Sequence, residues 1–144
     1  DQHWASSPVS GPVASYDWVE RHMAELAAVV EPDKLVLGLP LYNRVWRERP
    51  SGEVAGAMTV RSSSVGMAAL DEFLVSRNAE PFWDEAARQS YAAFFDGDSL
   101  VKVWIENAGS LARKAELVDV LGLGGVACWQ RSFATDDVWA AVAQ

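Results

Sequence analysis

The sequence predicts an α/β fold in which buried parallel strands alternate with helices. Two continuous apolar segments, 34–41 and 124–129, lack the polar alternation of a half-solvated strand, so both are predicted to be buried strands. Stretches with apolar residues at helical spacing flank both segments. Because strands that alternate with helices form parallel layers, and two strands cannot close a sheet, we expect the chain to be part of a longer protein.

Three helices are predicted from their capping residues and apolar spacing. The first covers residues 16–30 after the N-cap Ser15, and one face carries Val19, Met23, Leu26 and Val30. The second begins at Asn107 or Ser110. The third follows Thr135 and is predicted to bury Val138, Trp139 and Val142.

Between the two buried strands the sequence predicts a small α+β insertion. Residues 47–56 are polar, contain Pro and Gly, and predict a loop, while Ser62 to Ser64 predict the N-cap of a short helix. Asp96-Gly97-Asp98 is typical of a tight hairpin turn. Short antiparallel strands are expected at 80–84, 90–95 and 99–106.

Composition and charge exclude several classes of partner. The 144 residues have a net charge of −8, which argues against nucleic acids and anionic membranes because nothing neutralises phosphates. A chain with two His and one Cys has no plausible zinc site, and no metal or other cofactor is expected. Cys128 cannot form an internal disulfide and is predicted to be a small core residue.

Each buried strand ends in large aromatic residues with hydrogen-bonding groups beside them. In a parallel barrel the C-terminal strand ends hold the ligand, and indole or phenol faces suit the apolar C–H faces of a sugar. Strand alternation puts Tyr42, Arg44 and Trp46 on one side, and Trp129 ends the second strand. Tyr42 and Arg44 are therefore predicted to contact a sugar, whereas Trp46 is predicted to seat the insertion on the barrel.

Five segments in chain order carry a family resemblance. They are DQHW at 1–4, GPVAS at 11–15, GLPLYNR at 38–44, VWIENAGS at 103–110 followed by Lys114, and GGVACW at 124–129. Together they resemble glycoside hydrolase family 18, and in particular its bacterial spore-cortex and cell-wall glucosaminidases. The resemblance implies the C-terminal portion of a TIM barrel, from the end of strand six to helix eight. It makes residues 1–144 one partial barrel domain with an insertion at 47–107.

The resemblance also implies an activity, hydrolysis of β-1,4 N-acetylglucosamine linkages in peptidoglycan or chitin-like polymers. In the family a glutamic acid protonates the leaving oxygen and the substrate's own acetamide attacks, with retention of configuration. The family's catalytic signature, DxxDxDxE, is absent here, because Asp96-Gly97-Asp98 is followed two residues later by Leu100. No catalytic residue is therefore expected in this chain, and the acid is expected upstream.

The resemblance assigns sugar contacts to further residues, and each has a structural alternative. Asp1 would hold the acetamide or fray as a chain end, and His3 and Trp4 would form a cleft wall or pack a loop. Glu106 would lean over the cleft or cap the helix dipole, and Trp129 would be the floor beneath the sugar or part of the core. The remaining tryptophans are predicted to be core residues: Trp18, Trp83, Trp104 and Trp139.

Three hypotheses about function follow. The first is the glycosidase, with a carbohydrate polymer and the upstream half of the barrel as partners, secreted to a bacterial cell wall or spore envelope. The second is a catalytically inactive carbohydrate-binding barrel. The third is a half-barrel that associates with itself, because a cut barrel exposes strand edges and an apolar face.

Overall fold

The computed structural model describes residues 1–53 and 56–143, and its strands form two sheets. The strands are β1 (Val36–Pro40), β2 (Tyr42–Pro50), β3 (Met58–Gly66), β4 (Phe82–Asp84), β5 (Gln89–Asp96), β6 (Ser99–Ile105) and β7 (Gly125–Trp129). The helices are α1 (Tyr16–Ala27), α2 (Met67–Val75), α3 (Ala108–Ala115), α4 (Leu117–Leu121) and α5 (Asp137–Val142). Within these described residues no helix has the length and apolar character needed to cross a membrane.

The parallel sheet is formed as predicted, by β1 and β7. Val36 pairs with Gly125 and Pro40 with Trp129, so the two C-terminal strand ends lie side by side. The prediction that β1 is buried on both faces is wrong for this chain. Leu37 and Leu39 pack against the helices, whereas Val36 on the other face is exposed. In the part of the chain that the structure describes, no layer covers that second face.

The helices pack on one face of the parallel sheet and form the first core. Its fully buried members are Val19, Leu37, Leu39, Leu41, Met67, Leu111, Leu117 and Val138, with Met23 at the limit of burial. Cys128 packs against this core but is only half-buried, so it lies at the edge of the core in which the sequence predicts it. Burial nevertheless raises the pKa of its thiol.

The first helix is shorter than predicted. It ends at Ala27, so Val30 lies beyond it and Leu26 is exposed; only Val19 and Met23 of the predicted stripe are buried. The chain leaves the helix through a tighter turn in which the Val29 amide donates to the Leu26 carbonyl, and Pro32 then starts a short 3₁₀ turn.

The helix predicted after residue 107 consists of two segments, α3 and α4, separated at Glu116. Asn107 is its N-cap, because the Asn107 side chain accepts from the Ser110 amide while Ser110 Oγ accepts from the Asn107 amide. Gly122 ends α4 in the left-handed region at φ 67°, where glycine carries no steric penalty.

The insertion holds a five-stranded antiparallel sheet with the strand order β3-β2-β6-β5-β4, here called the insertion sheet. Two predictions within it are wrong. Residues 47–50 belong to β2 rather than to a loop, and Ser62 to Ser64 belong to β3 rather than to a helix cap. Helix α2 begins after Gly66. Residues 54 and 55 of the predicted loop lie outside the described residues.

The two faces of the insertion sheet have different environments. One face packs against α2 and forms a second core of Val45, Leu70, Leu74, Ala92, Val101, Val103 and Ile105. On the other face Trp46 is fully buried, and its indole Nε1 donates to the Gly11 carbonyl at 2.8 Å. Trp46 therefore anchors the segment 1–14 to the insertion sheet, in agreement with the packing role predicted for it.

Two of the other tryptophans do not lie where the sequence predicts them. Trp18 packs against the first core, and Trp104 is half-buried with its Nε1 donating to Asp84 at 2.8 Å. Trp83 and Trp139 are exposed, so their assignment to the core is wrong. Trp83 lies on β4, the short edge strand, where one side has no neighbouring strand.

Glu48 is expected to make stability depend on pH. Burial alone raises the pKa of Glu48, but hydrogen bonds from Ser10 and Lys102 and the Lys102 charge outweigh burial and lower it from 4.5. A lowered folded pKa adds stability above about pH 4.5, and this stability is lost as the pH falls through the folded pKa. Glu48→Gln is expected to lower the free energy of unfolding by about 1 kcal/mol near neutral pH and by less near about pH 3.

Urea unfolding of both proteins at the two pH values measures this difference. A loss of the same size at both values would contradict the linkage. Glu53→Gln, at an exposed position of the same chain segment, is the matched control and is expected to change stability little at either pH.

Candidate functional site

An open cavity of about 510 Å³ is lined by α1, by the segment that precedes α1, and by strands β1 and β7. Apolar groups from α1 form one wall, and the ends of β1 and β7 form the other. Its lining residues are Asp1, Val13, Ala14, Trp18, Val19, Met23, Leu37, Gly38, Leu39, Pro40, Tyr42, Ala127, Cys128 and Trp129. The cavity runs along β1 and reaches the C-terminal ends of β1 and β7, where a parallel α/β layer holds its ligand.

At the rim of this cavity three polar side chains meet. Tyr42 Oη donates to Asp1 Oδ1 at 2.7 Å, and Arg44 Nη2 donates to Asp1 Oδ2 at 2.9 Å. Tyr42 and Arg44 are the first and third residues of β2 and lie on one side of that strand, as strand alternation predicts. Asn43 points to the other side. The Asp1 carboxylate is therefore held by a donor on each oxygen, and the three residues are called the rim cluster below.

Arg44 is nearly buried, although the sequence predicts it to contact a sugar. Besides Asp1, it donates from Nη1 to Ser64 Oγ at 3.4 Å, and its guanidinium lies 5.7 Å from the Tyr42 ring centroid. With little free surface, its main effect in this structure is to hold the Asp1 carboxylate by charge and hydrogen bonding.

Trp129 ends β7 with its indole 69% exposed at the cavity. The strand brings it beside Pro40, and its carbonyl accepts from the Leu41 amide at 2.6 Å, so its backbone is fixed while its ring is free. The peptide bond from Trp129 to Gln130 is cis. The alternative that Trp129 belongs to the core is therefore wrong for the described residues.

His3 and Trp4 follow Asp1 closely in the chain, but neither lines the cavity. His3 Nδ1 donates to the Pro12 carbonyl at 2.9 Å, and its ring packs on Gly11, where any side chain would collide with it. Trp4 is exposed. The structure supports a packing role for His3 within segment 1–14.

Glu106 is not part of the rim cluster. It is 1% exposed, and its carboxylate accepts from Lys114 Nζ at 2.5 Å and from Ser110 Oγ at 2.7 Å. Asn43 clamps its backbone, accepting from its amide at 2.6 Å and donating to its carbonyl at 3.4 Å. Both oxygens are occupied in the interior, so Glu106 has a structural role in this structure.

Asn43 is a residue that the sequence reasoning did not single out. It lies between the two rim residues Tyr42 and Arg44, is fully buried, and fixes the start of β2 to the end of β6. The signal in the sequence is an amide that directly follows the apolar strand and lies between two functional candidates, because a buried amide requires partners.

The described residues contain no group of three His, Cys, Asp or Glu side chains that could hold a metal ion. The arrangement instead offers an exposed indole, a hydroxyl and an oriented carboxylate around a cavity with mostly apolar walls. An aromatic face with a few convergent polar groups is typical of a small-molecule site, and it fits a sugar ring.

Comparison with known proteins places this geometry in a family. The model of glycosyl hydrolases family 18 matches residues 3–134. Probable di-N-acetylchitobiase 2 from Dictyostelium discoideum is 28% identical, and the match covers 72% of this chain and 33% of that protein.

Solved structures give the same picture. A chitinase from Chromobacterium violaceum superposes with a TM-score of 0.85 at 28% identity, over 100% of this chain and 42% of that one. The Bacillus cereus spore cortex-lytic enzyme SleL superposes with a TM-score of 0.80 at 20% identity, over 97% of this chain and 31% of SleL. The chain spans between about a third and two fifths of these relatives. The predicted fold, the C-terminal portion of a family 18 barrel, is confirmed.

Breaking the buried pair of Glu106 and Lys114 is expected to destabilise the fold strongly. Lys114→Met leaves a carboxylate unpaired in the interior and is expected to lower the free energy of unfolding by about 3–5 kcal/mol. The double variant Glu106→Gln/Lys114→Met removes both charges and is expected to recover part of that loss. Chemical denaturation measures both.

Lys34→Met is the matched control, because Lys34 forms an exposed ion pair with Glu31. Its expected cost is below about 1 kcal/mol. A Lys114→Met variant as stable as Lys34→Met would contradict the structural role of the buried pair.

Proposed function

Since the chain belongs to glycoside hydrolase family 18, we propose that the protein carrying it is a retaining glycosidase. Its substrate would be β-1,4-linked N-acetylglucosamine in a chitin-like or peptidoglycan polymer. The observation that carries the proposal is the exposed Trp129 indole next to the rim cluster, on one open cavity. Relatives named chitobiase, chitinase and spore cortex-lytic enzyme support this substrate class.

Trp129 has the role of a platform. A pyranose has an apolar C–H face, and moving this face from water onto an indole surface is favourable. The β1 and β7 ladder fixes the backbone of Trp129, so the ring is presented at the strand end without loss of backbone entropy when a sugar binds.

The Asp1 carboxylate has the role of holding the acetamide of the sugar. A carboxylate offers about four lone-pair sites, and Tyr42 and Arg44 use two of them. The remaining sites can accept the acetamide N–H. Fixing that group orients the acetamide oxygen toward the anomeric carbon. In a substrate-assisted retaining mechanism this oxygen is the nucleophile.

The general acid is proposed to come from a part of the protein outside these 144 residues, since the catalytic signature of the family is absent from them. On this assignment the 144-residue unit alone hydrolyses nothing, and turnover of chitin oligomers by a pure sample would overturn it. The polymeric substrate also supports a location outside the cell, at a wall or spore envelope.

A non-catalytic carbohydrate-binding protein is the second candidate. It is favoured by the fact that the cavity, the indole platform and the rim cluster would serve binding whether or not the protein carries a general acid. Hydrolysis of chitin oligomers and peptidoglycan by the protein that carries this chain separates the two. Binding without hydrolysis would establish the second candidate.

Self-association remains a prediction for the separate 144-residue unit. The uncovered face of β1 and β7 and the exposed Val36 leave an apolar surface open to a second copy. Sedimentation velocity over a range of concentrations tests it, and a monomer at the highest concentration would contradict it.

Trp129→Ala is expected to weaken binding of chitin oligomers by about tenfold or more, because it removes the platform. Isothermal titration measures this affinity. Trp139→Ala is the matched control: Trp139 is an exposed tryptophan on α5 outside the cavity, and its loss should leave affinity unchanged. Equal affinity in the wild type and Trp129→Ala would contradict the platform role.

Tyr42→Phe removes one of the two donors to Asp1 and keeps the ring. In the protein that carries this chain it is expected to lower kcat by about tenfold or more with a smaller effect on KM, because the acetamide is held less well. Steady-state hydrolysis of a chromogenic chitobioside measures both constants. Tyr91→Phe, on the insertion sheet outside the cavity, is the control and should change neither.

A further inference from the structure

A second cavity, of about 220 Å³, lies between the first turn of α3 and strands β4 and β5. It is lined by Trp83, Gln89, Ser90, Asn107, Gly109, Ser110 and Arg113, and shares no lining residue with the cavity at Trp129. Helix α3 packs against α1, α5 and β1, all within the described residues. Both walls of this second cavity are therefore formed by this chain.

Gln89 is the unusual residue of this cavity. Its side chain is 1% exposed, and among the described residues neither its Oε1 nor its Nε2 has a hydrogen-bond partner. An unpaired buried polar group costs about 1–3 kcal/mol, and folded proteins retain few of them. An amide at the base of a cavity with both atoms unpaired is therefore set up for a polar ligand.

The amide geometry selects the ligand. Gln89 presents one acceptor and one donor side by side, which complements two adjacent hydroxyls, one donating to Oε1 and the other accepting from Nε2. A secondary acetamide fits less well, because its N–H and C=O point in opposite directions. Such a pair of vicinal hydroxyls is present in free N-acetylglucosamine and at the non-reducing end of its β-1,4 polymer.

The walls supply the other half of sugar recognition. The Trp83 indole is 42% exposed, and the Arg113 guanidinium lies 4.6 Å from its ring centroid. Arg113 is exposed, so its guanidinium can leave the Trp83 ring face to a sugar and its donors can bind ring oxygens. The volume lies below the roughly 300–1,000 Å³ of sites for drug-sized ligands, which limits the ligand to about one ring.

We propose that this cavity is a second saccharide-binding site, which takes one pyranose unit through the Gln89 amide and the Trp83 indole. It rests on the proposed function only for the source of the sugar, the non-reducing terminal unit of the same polymer, in which two adjacent ring hydroxyls are free. Such a site would hold that end of a polymer strand on the insertion while the cavity at Trp129 takes the unit that reacts. Two weak sites on one chain raise the overall affinity for a polymer above that for a monosaccharide.

Fluorine NMR of the protein labelled with 5-fluorotryptophan tests the proposal. The probes are N-acetylglucosamine and its β-1,4 trisaccharide, and Trp→Phe variants assign the Trp83 and Trp129 resonances. The Trp83 resonance is expected to shift saturably with the saccharide, and to do so equally in Trp129→Ala. Gln89→Leu, of similar size but without the amide, is expected to weaken that response by about tenfold.

The outcomes separate the two sites. A Trp129 response without a Trp83 response overturns the second site and leaves the proposed function intact. A Trp83 response without a Trp129 response supports the second site and counts against the cavity at Trp129. Unchanged affinity of the Trp83 response in a folded Gln89→Leu variant, or a shift with inorganic phosphate in place of sugar, overturns the proposal.

Discussion

The buried ion pair between Glu106 and Lys114 is the interaction on which the position of the site depends. Glu106 directly follows β6 and Lys114 lies in the last turn of α3, so the pair joins the insertion sheet to the helical layer. A buried charge is tolerated only when fully paired, and here Lys114 and Ser110 occupy both carboxylate oxygens. Asn43 then binds the Glu106 backbone in both directions, which fixes β2 where it leaves the barrel strand.

The geometry of the rim cluster depends on the junction formed by Glu106, Lys114 and Asn43. Tyr42 and Arg44 flank Asn43, so their direction is set by the same backbone that the ion pair holds. Asp1 reaches them from the far end of segment 1–14, which Trp46 ties to the insertion sheet through Gly11. Functional groups held by buried supports lose little freedom when a ligand binds, and this is how a loop residue such as Asp1 contributes to an ordered site.

The hairpin of β2 and β3 explains why sequence patterns failed at 47–50 and at Ser62 to Ser64. Strand β3 has no fully buried residue, and its centre, Arg61 to Ser64, is polar on both faces, so it lacks the apolar alternation of a half-buried strand. Its partner at the polar end of β2 is stabilised by the backbone ladder, in which Arg47 pairs with Arg61 and Pro50 with Met58. Backbone pairing of two exposed strands requires no particular residue types, so composition does not reveal it. The strands β1 and β7 are revealed by their apolar residues.

The sequence by itself determined the parallel α/β layer, the aromatic strand ends and the family, because burial imposes apolar runs and because five motifs occur in order. Only the tertiary structure decided which candidates meet. Asp1 joins Tyr42 and Arg44 across separations of 41 and 43 residues, while Glu106 turns inward to Lys114. The physical reason is that the same type of side chain, such as an indole or a carboxylate, is stable in both a buried and an exposed environment. The choice between an exposed indole at Trp129 and a buried one at Trp46 depends on which segment covers it.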